Sequence, residues 1–266
     1  MDYLQKNNFS KITVSAIKIA YSAGSILKDG FLKNHKIMKK EGNQNYATEY
    51  DLKSESFIIK NIKKNFKNHS ILSEEQGFEK KDSEYEWVID PLDGTQNFFH
   101  KIPMFSISIG VKKNLDILSG VVYNPILDEM FYAEKNKGSF LNGKIIYVSK
   151  IKRVIDSFLA TGFPYDLVDN PQNCQKMISN VLKMGVPVRR IGSAAIDLAY
   201  VAAGRFDGFF EVNLKPWDIL AGKLLVEEAK GSFSAINGRM TIIEEENMVL
   251  ATNGKIHKEL IKVINR

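Results

Sequence analysis

Apolar residues in the first part of the chain recur at helical intervals. Ile12, Ala16, Ile19, Ala23 and Ile26 share one face between Ser10 and Leu32, with Ser10 placed to cap the helix start. Lys33 to Tyr46 is polar, basic and without a period, and reads as a mobile loop. A second helix follows, with Thr48 as its cap and Leu52, Ile58, Ile59, Ile62 and Phe66 as its buried stripe. Trp87-Val88-Ile89 has the look of a short buried strand, which Asp90-Pro91 should halt. Beyond Phe105 the period changes to two. Phe105, Ile107 and Ile109 alternate with Ser106, Ser108 and Gly110, and Asn124-Pro125, Lys137-Gly138 and Asn142-Gly143 punctuate a meander.

From Ser157 onward strands and helices alternate. Phe158-Leu159-Ala160 and Pro187-Val188 read as strands around a helix from Cys174 to Met184. A helix from Ser193 to Ala203 stops at Gly204, where glycine can take the left-handed cap conformation. Strand Phe206–Phe210 leads to a helix opened by Pro216; a hairpin at Asn237-Gly238, strand Met248–Ala251 and helix Ile256–Ile264 close the chain. Helices then strands, followed by alternating units, predict a layered α/β architecture with a seam near residue 150. Residues 1–150 form an α+β subdomain on this reading, and 151–266 an α/β subdomain.

Length and charge narrow the classes. A chain of 266 residues sits at the upper edge of what one hydrophobic core serves. The single cysteine, Cys174, excludes an intramolecular disulfide framework and a cysteine-rich zinc site, and is read as a packing residue. His35, His69, His100 and His257 are dispersed and fit no zinc spacing. No apolar run is long enough to span a membrane, and the early Lys6-Asn7-Asn8 argues against a secretory signal, so the expected setting is reducing and cytoplasmic. The net charge is +6, and only six of the 37 basic residues are arginine. Scattered lysine reads as solvated surface; the alternatives are weak RNA association or steering of an anionic substrate.

The densest chemistry is Asp90-Pro91-Leu92-Asp93-Gly94-Thr95. A strand delivers two carboxylates into a stiffened turn, and a short helix, Gln96 to His100, should follow. Carboxylates at a strand end suit Mg²⁺, and a helix N-terminus offers N–H groups to an anion. The competing reading is a turn whose aspartates satisfy local amides. Glu74-Glu75, Asp51 in the second helix and Asp218 in the first turn after Pro216 add further acids. Each alone is equally well a solvated charge or a helix-dipole partner, worth about 0.3–1 kcal/mol.

Trp87 to Val111 (WVIDPLDGTQNFFHKIPMFSISIGV) resembles the signature of the inositol monophosphatase family, and Pro216 to Gly222 (PWDILAG) is similar to its C-terminal signature. The order of Glu74, Asp90, Asp93 and Asp218 is similar too, and the resemblance, to the bacterial type, covers almost the whole chain. It implies an αβαβα layered sugar-phosphatase fold and Mg²⁺-dependent hydrolysis of a phosphate monoester, with myo-inositol monophosphate as the expected substrate and no covalent intermediate. By the same resemblance, Glu74, Asp90 and the Leu92 carbonyl hold a first metal, and Asp90, Asp93 and Asp218 a second. A weaker third leans on Glu74. Asp51 and Thr95, with Glu74, orient and activate water. Asp93, Gly94, Thr95, Ser193, Ala194 and Glu211 line the substrate, a small phosphorylated polyol. A homodimer is implied as well.

The physics runs the same way. Two carboxylates about 4 Å apart repel by roughly 4 kcal/mol at an effective dielectric of 20, so a cup of four calls for protons or cations. Phosphate monoesters need acceleration approaching ~10²¹-fold, more than a single general base supplies.

Related activities on the same scaffold are the near rivals: 3′(2′),5′-bisphosphate nucleotidase, fructose-1,6-bisphosphatase and histidinol-phosphatase. Asn97-Phe98 after DGT fits the inositol branch better than the nucleotidases. A phosphorylated Asp90, as in haloacid-dehalogenase-type phosphatases, is disfavoured because the spacing is DxxDGT and the position internal. A rival of another class is binding to RNA or RNA polymerase. The chain departs from the family pattern at Asn45, where an aspartate is expected, and at Gln96, where threonine is common. Lys39 or Lys40 is the candidate loop lysine near the third metal. Arg189-Arg190 reads as a surface pair.

Overall fold

The computed structural model describes residues 8–39, 46–164, 167–239 and 248–266. Asn45 and Lys40 lie outside the described residues, whereas Lys39 is exposed.

Helix α1 (Lys11–Phe31) begins at Ser10, whose hydroxyl accepts from Thr13 N. Both the backbone N and the hydroxyl of Ser10 also donate to Glu134, so the cap is fastened to the sheet that α1 covers. The segment predicted as a loop contains two short strands, β1 (Ile37–Lys39) and β2 (Tyr46–Thr48), which pair antiparallel. Helix α2 (Glu49–Asn65) starts at Thr48 with a reciprocal capping box closed by Asp51.

An eight-stranded sheet holds β3 (Ser70–Ser73), β4 (Gly77–Glu79), β5 (Tyr85–Asp93), β6 (Ser106–Lys113), β7 (Asp116–Asn124), β8 (Glu129–Glu134), β9 (Gly138–Leu141) and β10 (Lys144–Ile146). Their order is β10-β9-β8-β7-β6-β5-β3-β4, with β3 and β5 parallel and the other pairs antiparallel. The short helix α3 (Thr95–Phe99) follows β5. A five-stranded sheet is ordered β12 (Val188–Arg189), β11 (Leu159–Thr161), β13 (Gly208–Val212), β15 (Met248–Thr252), β14 (Ser232–Ala235).

Three apolar cores define the layers. Ile17, Ala20 and Leu27 of α1 and Ile58 and Ile62 of α2 meet Trp87, Ile89, Ile107, Ile109 and Val121 on one face of the larger sheet. The opposite face, with Val88, Val122 and Phe131, packs on α5 (Ala194–Ala202) and α6 (Pro216–Glu228), which also cover Phe209 and Val249 of the smaller sheet. The outer face of that sheet, with Phe210 and Leu250, is covered by α4 (Cys174–Leu182) and α7 (His257–Ile264). Helices, sheet, helices, sheet, helices: the layered α/β fold expected from the sequence. Cys174 is buried in the third core, as a packing residue would be.

Three expectations need correction. Strand β5 does not end at Asp90-Pro91 but runs to Asp93, with its pairing to β6 irregular between Asp90 and Asp93. Such a break re-aims side chains without ending the strand, and it gives the proline a place. Leu52 is 40% exposed, while Asp51, Ser54 and Glu55 are fully buried; α2 turns a polar face inward because those groups find partners there. Strand β13 runs from Gly208 to Val212 rather than from Phe206 to Phe210, and its later end puts Glu211 inside it.

Candidate active site

The strand register brings the first acids together. Ser73 of β3 pairs with Ile89 of β5, and Glu74 N extends that pairing by donating to Ile89 O at 3.2 Å. The next residue of each strand is an acid, Glu74 on one and Asp90 on the other. On the far side of β5, Asp90 pairs with Ser108 of β6, whose hydroxyl donates to Trp217 O at 3.0 Å. Trp217 immediately precedes Asp218, so one serine ties α6 to the strand beside Asp90. Asp218 Oδ2 accepts from Lys215 N at 2.7 Å, in the first turn of α6.

Close approach of α6 depends on missing side chains. A Cβ on Gly110 of β6 would overlap Leu220, and one on Gly120 of β7 would meet Ala221 backbone. Alternation in β6 thus reads differently once folded. Ile107, Ile109 and Val111 face the helices of the first layer, while Ser106, Ser108 and Gly110 seat the helices between the sheets.

Asp93 is held by α5. Its Oδ2 accepts from Ser193 Oγ at 2.5 Å and from Ala195 N at 2.8 Å. Ser193 therefore caps the helix, accepting from Ile196 N, and donates to Asp93 at once. Gly94, at φ +90°, lies against Gly192 O and Met104 O. Asn97 Nδ2 donates to Met104 O at 2.6 Å and Ile191 O at 2.8 Å, stitching α3 to the loop that leads into Ser193.

Asp51 and Thr95 meet directly. Thr95 Oγ1 lies 2.9 Å from Asp51 Oδ1 and 3.1 Å from Leu92 O, so its single hydrogen serves two acceptors. Asp51 Oδ2 also takes Thr48 N at 2.7 Å and Thr48 Oγ1 at 2.6 Å. Leu92 N donates to Asp90 Oδ1 at 2.9 Å, which folds the turn back on its own aspartate.

The electrostatics record the convergence. Burial, then the charges of Glu74, Asp93 and Asp218, hold Asp90 well above the ordinary 3.8. Burial and the charge of Asp93 raise Asp218 in the same way, against the Lys215 N–H. Asp93 is pushed to about 6 by burial, opposed by its hydrogen bonds from Ser193, Ala195 and Ala194. Asp51 also reaches about 6, through burial opposed by Thr48 and Thr95. Glu211 is pushed to about 8 by burial and the Asp93 charge, and Arg190 works against that rise. Its carboxyl rests on Gly162, where an added Cβ would occupy the same space. Arg190 is exposed and lies over the Phe163 ring, 5.1 Å from its centroid, in keeping with a surface arginine.

Glu74, Asp90, Asp93 and Asp218 thus come from different segments to act on one another's charge. The donor set is all oxygen, which suits a hard cation such as Mg²⁺, and a cation would relieve the repulsion that lifts Asp90 and Asp218. The acids are not closed into a cage: among the described residues, no three His, Cys, Asp or Glu side chains form a ready metal-coordinating group.

Sequence reasoning passed over three buried polar residues here. Ser54 donates to Pro91 O at 2.9 Å, and Glu55 Oε1 accepts from Glu75 N at 2.9 Å and Gln76 N at 3.2 Å. Asp197, buried in α5, is held well above 3.8 by burial and the charges of Glu211 and Asp93. The spacing of Asp51, Ser54 and Glu55 on one helical face was the available signal for the first two.

Comparison with known proteins gives the family and the fold. The inositol monophosphatase family model matches residues 8–266. The inositol-1-monophosphatase of Mesorhizobium japonicum is 37% identical over 253 residues, 94% of each chain. The Nus factor SuhB of Pasteurella multocida is 39% identical over 251 residues, again 94% of each. The crystal structure of extragenic suppressor protein suhB from Bartonella henselae superposes with a TM-score of 0.92 at 35% identity, over 97% of this chain and 99% of that one. On the family match, the full-length similarity and the fold together, the chain belongs to the inositol monophosphatase family.

Proposed function

We propose that the protein is a Mg²⁺-dependent phosphatase that hydrolyses a phosphate monoester, with myo-inositol monophosphate as its substrate. The observation that carries this reading is the charge coupling of Asp90 to Glu74, Asp93 and Asp218, acids brought in by β3, β5 and α6. Glu74, Asp90, Leu92 through its carbonyl, Asp93 and Asp218 would hold two Mg²⁺ ions, with a third leaning on Glu74. When bound, the metal neutralises these acids, polarises the phosphoryl oxygens and makes water more acidic.

The rest is the chain's own work. Thr95 passes the proton of the attacking water to Asp51, whose carboxyl, raised to about 6, is tuned to accept one near neutral pH. Glu74 orients the same water. Gly94 and Thr95 present the start of α3 to the phosphate. Glu211, Ser193 and Ala194 face the polyol, whose hydroxyls suit a carboxyl group beside a helix start. The water oxygen bonds to phosphorus as the ester oxygen leaves, and no aspartyl-phosphate is needed. No helix among the described residues is long and apolar enough to cross a membrane, consistent with a cytoplasmic enzyme, and a homodimer is the expected assembly.

A panel of phosphomonoesters assayed with Mg²⁺ tests the substrate. The expected result is preference for inositol monophosphate; preference for an adenosine bisphosphate, fructose 1,6-bisphosphate or histidinol phosphate overturns it. A second reading, association with RNA polymerase or RNA, draws on the similarity to proteins named Nus factor SuhB and on the net charge of +6. Asp93→Asn separates the two. If the cellular role survives in this catalytically dead variant, binding rather than turnover carries it.

A further inference from the structure

Helix α2 reaches the end of β5, the start of α3 and the turn after β3 from one inward face. Asp51 takes the Thr95 hydroxyl, Ser54 holds Pro91 O, and Glu55 takes the N–H groups of Glu75 and Gln76. The three residues stand at i, i+3 and i+4, so a single rigid element sets the turn after Glu74 against the Pro91–Thr95 segment. Glu55 is fully buried, and its Oε2 has no hydrogen-bond partner. An apolar side chain would fill the space of Oε2 but would leave the Glu75 and Gln76 N–H groups without this acceptor, so what the glutamate supplies is a hold on that turn.

We infer that Glu55 is a positioning residue: by taking the two amides that follow Glu74, it fixes the turn that presents Glu74 to the metal site, while Ser54 fixes the backbone that presents the Leu92 carbonyl. This rests on the metal reading above. Groups that orient metal ligands change affinity by about 10–100-fold when lost; Glu74 N is held by Ile89 O, and Glu55 holds the two residues that follow it.

The test compares Glu55→Leu and Glu55→Gln with the parent, using Mn²⁺ as the probe in calorimetry and hydrogen exchange at the amides of residues 75 and 76. Ile58→Ala, on the same helix but in the apolar core, is the stability control. Glu55→Leu is expected to lose about 10–100-fold in Mn²⁺ affinity and to exchange both amides faster. Glu55→Gln, which keeps an acceptor oxygen, is expected to restore most of the affinity and the slow exchange. Ile58→Ala should lower Tm and leave Mn²⁺ affinity unchanged. Parental affinity in Glu55→Leu, or an equal loss of affinity in Ile58→Ala, overturns the inference. If the parent itself takes up no Mn²⁺, the metal reading fails; the exchange at residues 75 and 76 then decides the positioning claim by itself, and parental rates in Glu55→Leu reject it.

Discussion

The two ends of β5 lie on one continuous strand and meet opposite demands. From Trp87 to Ile89 every side chain is in an apolar core, and the indole N–H is satisfied by His69 Nδ1 at 3.0 Å. From Asp90 to Asp93 the strand stays buried as far as Leu92, with Asp93 half-buried, but carries two acids, each raised by its surroundings. Burial stabilises the first end by removing hydrocarbon from water. At the second it opposes folding with ionised acids, and the opposition is held in check by neighbours: Ser193, the α5 amides and the Leu92 N–H. The first end makes the fold, and the second draws on it to keep like charges close.

Substitutions at the two ends should therefore separate stability from activity. Asp90→Asn is expected to lower kcat by about 10²–10³-fold or more, the scale seen when a preorganised electrostatic group is removed, while circular dichroism stays that of the parent. Retained Mg²⁺-dependent turnover in this variant would refute the metal assignment. Trp87→Ala should do the reverse. Emptying that site costs about 3–5 kcal/mol in denaturant unfolding, and the protein that remains folded should keep its parental Mg²⁺ dependence.

Gly110→Ala should fall between them. A methyl group pressing on Leu220 destabilises by about 1–3 kcal/mol, and because α6 carries Asp218, Mg²⁺ affinity should weaken along with Tm.

The smallest expected effect is on pH dependence. Asp51 and Asp93 titrate near 6 in the fold against an ordinary 3.8, and Glu211 near 8 against 4.5. The native metal-free protein therefore keeps protons that the unfolded chain has released. These groups' contribution to stability is complete below the ordinary carboxylate range and fades as pH rises through about 6, and for Glu211 through about 8. Asp93→Asn removes one such group. With chelator present, the variant-minus-parent difference in Tm should increase between about pH 4 and about pH 7; a difference that falls with rising pH would contradict the burial argument.

The same contrast marks what could be read from the chain. Contiguous chemistry was legible: Asp90 to Thr95 and Pro216 to Gly222 announce themselves, and the apolar period of α1 gave its limits to within a residue. The inward polar face of α2 was not. Ser54 and Glu55 look like an ordinary solvated face until Pro91 and the turn after Glu74 arrive from elsewhere to meet them, so Leu52 took their place in the expected stripe. Proline at position 91 looked like a strand end because the irregular pairing that accommodates it involves a neighbour, β6, rather than the strand itself. Gly110 read as one of the small positions in an alternating strand, and only the packing of Leu220 shows that its lack of a side chain sets how near Asp218 can come.

Residue 162 has a different consequence. It is bare backbone with a carboxyl group lying on it, so the smallest elaboration there, a single methyl, would evict Glu211 from its seat. On the proposed reading, in which Glu211 faces the substrate's hydroxyls, a change in the alcohol accepted would have to come from the rim around Glu211, since the floor beneath it is closed to an added side chain.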